Sequence, residues 1–316
     1  MDFKHIPVLL EPCIDALCIK PDGVYVDGTL GGAGHSRCIA EKLQNGRLIG
    51  IDQDENAIKA ATAVLQDYDS CGSHDSNVTI VHNNFKNVND VLQELGVDAI
   101  DGALLDLGVS SAQLDQKERG FSYLSDFDID MRMNPDAAFS AYNIVNEYSE
   151  RELTDIIYKY GEERWAKRIA QFIAAAREKE PVRTTGQLVK IIEAAIPAAA
   201  RAEGGHPAKR TFQALRIETN NELGILDSSL RAFADKLKSG GRLAVITFHS
   251  LEDRIVKETF ADLASGCNCP KSLPVCVCGN QPKVKLITKK PITASEEELN
   301  SNSRAKSAKL RVIEKL

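Results

Sequence analysis

The sequence predicts an α/β fold: a doubly wound, largely parallel sheet carrying an inserted all-helical domain. Three observations point to it. Short apolar runs alternate with helical periodicities from Val24 to Leu107. No strand pattern stands between Gln113 and Pro207. A buried-strand run then returns at Arg242–His249. Alternating βα punctuation is how a parallel sheet covered by helices is written in sequence.

The first strand, Val24–Val26, ends at Asp27 and runs into Gly28-Thr-Leu-Gly-Gly-Ala-Gly34. A helix is expected over Ser36–Leu43. Glycines after a strand allow positive φ and let backbone N–H groups approach a ligand at the strand's carboxyl end. The spacing is neither G-x-G-x-x-G nor the phosphate-binding G-x-x-x-x-G-K-[ST]. An acid followed by a loose glycine cluster resembles the first motif of class I S-adenosylmethionine (SAM) methyltransferases. A tight βα turn with no ligand is the alternative.

Further strands are expected at Leu48–Ile51, Val78–Val81 and Ala103–Leu107, with helices at Asn56–Leu65 and Val88–Leu95. Asp52 ends the second strand about twenty residues beyond the glycine turn, which suits a carboxylate accepting ribose hydroxyls. Its other reading is a helix cap. Phe85, after the third strand, is placed either to stack on an adenine or to fill the core. Asp106 ends the fourth strand, and Gly108, Ser110 and Ser111 follow. A buried strand has no need of an acid there, so Asp106 is a site candidate. His5-Ile-Pro-Val-Leu-Leu10 is either a lid or strap beside the ligand or an ordinary apolar N-terminal arm. Pro7 excludes a central strand in it.

Periodicities at Leu153–Tyr160, Trp165–Ala176 and Leu188–Ala195 predict the helices of the insertion, and Thr184 with Gln187 forms a capping box for the last. One long helix is expected from Phe212 to Leu237, stopped by Gly240-Gly241. Val284–Thr288 and Leu310–Ile313 are expected to pair as an antiparallel hairpin at the sheet edge. The resulting boundaries are 1–111 with 208–316 for the sheet domain and 112–207 for the insertion. His249, at the end of the Arg242 strand, falls on the same rim as Asp106, where a structural role is the commoner one.

The chain has 316 residues and net charge −6. Residues 1–200 carry −13 and residues 201–316 carry +7. The overall acidity disfavours a polyanionic partner, while the basic last third favours one locally. No run reaches the ~18 apolar residues of a membrane span, and the N-terminus lacks a signal-peptide core. A cytoplasmic protein is therefore expected, with its eight cysteines reduced. Cys267, Cys269, Cys276 and Cys278 form two C-x-C pairs, a spacing less usual for zinc than C-x₂₋₄-C. No metal is expected.

Eight segments together resemble one family. They are His5-Ile-Pro-Val-Leu-Leu, Asp27-Gly-Thr-Leu-Gly-Gly-Ala-Gly-His-Ser, Asp106-Leu-Gly-Val-Ser-Ser-Ala-Gln-Leu-Asp, Arg119-Gly-Phe-Ser, Asp130-Met-Arg-Met, Tyr160-Gly-Glu-Glu-Arg, Arg210-Thr-Phe-Gln-Ala-Leu-Arg-Ile and Phe248-His-Ser-Leu-Glu-Asp-Arg-Ile-Val-Lys. The chain resembles the bacterial ribosomal small-subunit RNA (cytosine-N4) methyltransferases, the RsmH/MraW family, over nearly its whole length. The resemblance implies a class I methyltransferase sheet and SAM as methyl donor. It implies N4-methylation of a P-site cytidine in 16S rRNA of the small ribosomal subunit. It also implies that Ala33, Gly34, His35, Asp52, Phe85, Asp106 and Gln113 hold the cofactor. Asp126-Phe-Asp-Ile129 and Asn134 depart from the family's usual residues, and both lie in the insertion. The rival readings are a SAM enzyme with a small-molecule or protein substrate, and a non-catalytic ribosome-assembly factor.

Overall fold

A computed structural model describes residues 7–68, 77–202, 205–266, 269–270, 273–275 and 277–316. His5, Cys71, Cys267 and Cys276 lie outside the described residues. The chain divides into two compact units, residues 1–108 with 223–316, and 109–222.

The first unit opens with α1 (Leu10–Leu17), β1 (Val24–Asp27), α2 (Gly34–Ala40), β2 (Arg47–Asp52), α3 (Glu55–Leu65), β3 (Val78–His82), α4 (Val88–Glu94) and β4 (Ile100–Asp106). The second holds α5 (Ser111–Asp115), α6 (Ala141–Glu147), α7 (Glu150–Gly161), α8 (Ala166–Arg177), α9 (Thr185–Ala195), α10 (Ala198–Ala202) and α11 (Lys209–Asn220). The chain then returns to the first unit with α12 (Leu226–Lys236), β5 (Leu237–Thr247), α13 (Ser250–Ala264), β6 (Val284–Leu286), α14 (Glu296–Ser301) and β7 (Lys309–Lys315).

The seven strands form one sheet in the order β3-β2-β1-β4-β5-β7-β6. Neighbours from β3 to β5 run parallel, while β7 runs antiparallel to both β5 and β6. The order reverses beside β1, and such a switch point opens a crevice at the strands' carboxyl ends. Side-chain alternation sorts the strands' residues between two apolar layers. Val26, Ile49, Ile51, Ala103, Leu105 and Val245 pack with α4, α12 and α13 on one face. Tyr25, Leu48, Leu104, Ala244 and Ile246 pack with α1, α2 and α3 on the other. Burial on both faces explains why these strands read as continuous apolar runs.

Three expectations are corrected. The stretch from Phe212 to Leu237 is two helices, because Asn221 takes a left-handed conformation (φ 50°) and stops α11. Phe212 and Leu215 of α11 join the apolar cluster of the helical unit, so that unit extends to residue 222 instead of 207. Gly240-Gly241 does not end a helix. α12 has already given way to β5 at Leu237, and the glycines lie in an irregularity where pairing jumps from Ile100–Leu237 to Gly102–Arg242. A Cβ on Gly241 would meet the Asp101 carbonyl at 3.0 Å and the Lys238 carbonyl at 2.8 Å, so the residue is required by close backbone approach.

The helical unit has its own core, including Leu153, Ile157, Ile169, Ile173, Leu188 and Ile192. The Thr184–Gln187 capping box of α9 forms as expected. Asn220 donates to the Met131 carbonyl and accepts from Met133 N–H, tying that loop to α11. The departing segment has a local role: the Asp126 carboxylate accepts from Gly186 N–H at 2.9 Å, at the start of α9. Truncating the buried Leu104 to alanine is expected to cost about 2–5 kcal/mol. Urea unfolding monitored by circular dichroism measures that cost, and a loss below about 1 kcal/mol would show the sheet face to be loosely packed.

Candidate active site

The site grows from the end of β1. Asp27 is buried, and its two oxygens point back into the turn that follows: one accepts from Thr29 N–H at 3.1 Å, the other from Ser36 Oγ at 2.7 Å. Asp27 therefore braces the glycine turn and the first turn of α2. Gly28 is demanded by packing, since a Cβ there would lie 2.5 Å from Leu105 Cδ2 and 3.2 Å from Phe85 Cβ. Gly31 and Ala33 have positive φ. A Cβ on Gly32 would meet no heavy atom within 4 Å. Gly34 faces inward instead, where a Cβ would run into Pro7 Cγ at 2.2 Å. The described part of the N-terminal segment thus packs against the glycine turn. His35 fastens it further through a 3.1 Å hydrogen bond between Nε2 and the Val8 carbonyl.

Asp52 ends β2 and connects two loops. One oxygen accepts from Gly31 N–H at 2.8 Å, the other from Asp54 N–H at 2.9 Å. The helix cap is its neighbour: Asp54 accepts from Asn56 N–H at the start of α3. Phe85 begins a short 3₁₀ turn after β3 and is half-buried against the α4/α12 face. Beside it, Asn84 donates to Gln53 Oε1 at 2.7 Å, and Asn83 accepts from the Asn87 amide at 2.8 Å. This polar cluster was not read from sequence, where isolated asparagines carry no spacing signal.

Asp106 ends β4 next to β1. Its backbone N–H donates to Thr29 Oγ1 at 2.6 Å, so the glycine turn and the β4 end are joined directly. Thr29 is a second residue that sequence reading missed. Asp106 Oδ1 is buried with no hydrogen-bond partner, and Oδ2 lies 4.0 Å from His35 Nδ1. The side chain keeps 29% exposure, so burial acts chiefly on the inner oxygen. Burial, then the charges of Asp27 and Glu252, push the Asp106 carboxyl up to about 8. Burial also lifts Asp27 to about 6, against the lowering effect of its Ser36 and Thr29 hydrogen bonds. Asp52 is raised by burial as well. Carboxyls at three strand ends, Asp27 repelled by Asp52 and Asp106 by Asp27, favour a ligand that brings positive charge and hydroxyl donors.

Gln113 belongs to the helical unit, where its side chain accepts from Ser110 N–H and completes the capping box of α5. Among the described residues, no three His, Cys, Asp or Glu side chains gather closely enough to hold a metal. Nor is any described helix long and apolar enough to cross a membrane.

The model of the MraW methylase family matches residues 2–316. The chain belongs to this family. A relative named ribosomal RNA small subunit methyltransferase H, from Clostridium botulinum (strain Loch Maree / Type A3), is 57% identical over 317 residues, covering all of both chains. Proteins of the same name from Heliobacterium mobile and Clostridioides difficile (strain 630) are 57% and 55% identical, again over the whole of both chains. A solved chain titled putative rRNA-methylase from Clostridium thermocellum shares 13% identity at a TM-score of 0.46, covering 99% of this chain and 100% of that one. That likeness is too slight to add to the family match.

As a member of the MraW methylase family, the chain is a methyltransferase whose methyl donor is SAM. The rim suits that donor. SAM carries a sulfonium, an ammonium and two ribose hydroxyls, and the rim offers an unpartnered carboxylate oxygen, a second strand-end carboxylate and an open glycine turn.

Replacing Asp106 by asparagine tests the electrostatics without SAM. The carboxyl is held near 8 in the folded chain against an ordinary 3.8. Folding therefore loses stability as pH rises from about 4 to about 8, where the unfolded chain is ionised and the folded one is not. Asp106→Asn removes that penalty. Its melting temperature is expected to gain on wild type between pH 5 and pH 9. Parallel melting curves at the two pH values would show that Asp106 is not held neutral.

Proposed function

We propose that the chain transfers a methyl group from SAM to the exocyclic N4 of a P-site cytidine in 16S rRNA of the small ribosomal subunit. One observation carries the reading: the unpartnered Asp106 carboxylate is tied through Thr29 to the glycine turn, at the strand end where amino-methyltransferases place their catalytic loop. Full-length identity of 55–57% to proteins named ribosomal RNA small subunit methyltransferase H supports the substrate class. The basic last third, +7 over residues 201–316, supports an RNA partner. The reaction needs no compartment beyond the cytoplasm, where the ribosome is built.

Ala33, Gly34, His35, Asp52, Phe85, Asp106 and Gln113 are the residues assigned to SAM. The Asp52 oxygens accept backbone N–H groups, Gly31 and Asp54 among them, and have lone pairs left for ribose hydroxyls. Ala33 and Gly34 shape the turn, and His35 holds the strap beside it. SAM, when bound, supplies a methyl group already activated by the sulfonium. The amino nitrogen of cytosine is a poor nucleophile because its lone pair is delocalised into the ring. Asp106, ionised when it faces a cation, accepts a hydrogen bond from N4–H and so favours pyramidal nitrogen. No strong base is needed, since a cationic nitrogen sheds its proton readily. Alignment of N4 with the methyl group supplies most of the remaining rate, and the cytidine must leave its stack to reach the rim.

Tritiated-methyl transfer to small-subunit particles lacking the modification, followed by nucleoside analysis, tests the assignment. N4-methylcytidine is the expected product. Asp52→Ala is expected to weaken SAM binding by about 1–3 kcal/mol in calorimetry. Asp106→Asn is expected to lower the turnover number even at saturating SAM. Turnover within about twofold of wild type, a barrier change of ~0.4 kcal/mol, would remove Asp106 from the chemistry.

A further inference from the structure

The motif Phe248-His-Ser-Leu-Glu-Asp253 begins where β5 ends, one strand over from Asp106, and the cofactor site does not use it. β4 and β5 are paired in register, Asp106 opposite Ile246, and Leu107 N–H donates to the Ile246 carbonyl. Three residues beyond Ile246, His249 is the N-cap of α13. Its Nδ1 accepts from Glu252 N–H at 3.4 Å, and Glu252 Oε2 accepts from the backbone N–H of Phe248 and His249 at 2.8 and 3.3 Å. Glu252 is buried, and a Cβ built on Gly108, two residues past Asp106, would lie 3.9 Å from its Oε1. The cap therefore faces the mouth of β4. α13 itself is anchored by Asp253, whose carboxylate holds Arg311 at 2.6 Å and Lys309 at 3.0 Å on β7.

Two facts make this more than a helix cap. The His249 side chain is 10% exposed, and Nε2 is a buried atom without a hydrogen-bond partner, lying 3.1 Å from Glu252 Oε1. Asp106 Oδ1 on the neighbouring strand is in the same condition. A ring that accepts at Nδ1 carries its proton on Nε2. The cap thus leaves His249 with Nε2 as its donor just past the end of β5, one strand over from Asp106 at the end of β4. Donor next to acceptor is the complement of the N3–N4 edge of cytosine, an acceptor nitrogen beside an amino donor. Uracil presents the reverse, N3–H beside a carbonyl oxygen.

We propose that His249 reads the target base, donating from Nε2–H to cytosine N3 while Asp106 accepts from N4–H. The assignment rests on the cytidine-N4 reading above. A site built to hydrogen-bond both groups rejects uridine because each of its own polar atoms would face a like partner. Glu252 is a positioning residue, holding the tautomer through its backbone N–H.

Two conservative substitutions separate recognition from capping. Asparagine places its amide near the position of Nδ1 and is a good N-cap, but has nothing at Nε2. Glutamine places an amide N–H near Nε2. Methyl transfer to unmodified small-subunit particles, SAM affinity by calorimetry and melting temperature are measured for wild type, His249→Asn and His249→Gln. His249→Asn is expected to lose about tenfold or more in kcat/KM for the particle, with SAM affinity and melting temperature close to wild type. His249→Gln is expected to recover most of that loss. Full activity in His249→Asn, with activity in His249→Gln falling in step with its stability, would reduce His249 to a cap and overturn the proposal alone. Absence of N4-methylcytidine from the wild-type reaction would overturn the cytidine reading, and this proposal with it.

Discussion

The buried carboxyl of Asp27 is the constraint on which the site is built. Its two hydrogen bonds set the path of the glycine turn: Thr29 N–H holds the turn's start and Ser36 Oγ the first turn of α2. Thr29 then receives the Asp106 N–H, and Gly31 N–H reaches Asp52. Three strand ends, those of β1, β2 and β4, are linked through one turn. The arrangement concentrates like charge on a single rim. Burial first, and this like charge second, hold Asp27 and Asp106 toward neutrality. A rim in that state is poised for a cationic ligand, because binding relieves a repulsion already present in the fold.

The sheet makes this geometry rigid. β1 and β4 are paired in register and covered on both faces, so the Asp27 and Asp106 positions follow from Val26–Ala103 packing rather than from loop conformation. The capping of α13 repeats the device on the next strand. There a histidine and a glutamate replace the serine and threonine that brace β1, and the His249 Nε2 atom is left buried without a hydrogen-bond partner. Sites set on strand ends and helix caps hold their geometry better than sites on loops.

Strand and helix alternation, the glycine turn, and the acids at positions 52 and 106 were all legible in the linear chain. Each is a local signal: an apolar run, a glycine spacing, or a polar residue where a buried strand ends. The two helices read as one were not, because Asn221 adopts a left-handed conformation that the apolar periodicity around it does not announce. The same break hides the assignment of α11, whose Phe212 and Leu215 have an apolar face that fits either unit's core. The irregularity at Gly240-Gly241 was misread for a related reason. A glycine pair signals a stop, and only strand pairing distinguishes a helix stop from a bulge.

The sequence alone determined the fold class, the strand ends that carry the acids, and the family, since these depend on residue type and near-neighbour spacing. The tertiary structure decided what each polar group does. It showed Asp27 turned inward as a brace, Gly34 packed on Pro7, Asp52 linking two loops, and Asp54, not Asp52, capping α3. It also left Asp106 Oδ1, at the end of β4, and His249 Nε2, just past the end of β5, buried without a hydrogen-bond partner. Hydrogen-bond satisfaction is a property of three-dimensional neighbours separated by tens to hundreds of residues, and no local spacing in the chain encodes it.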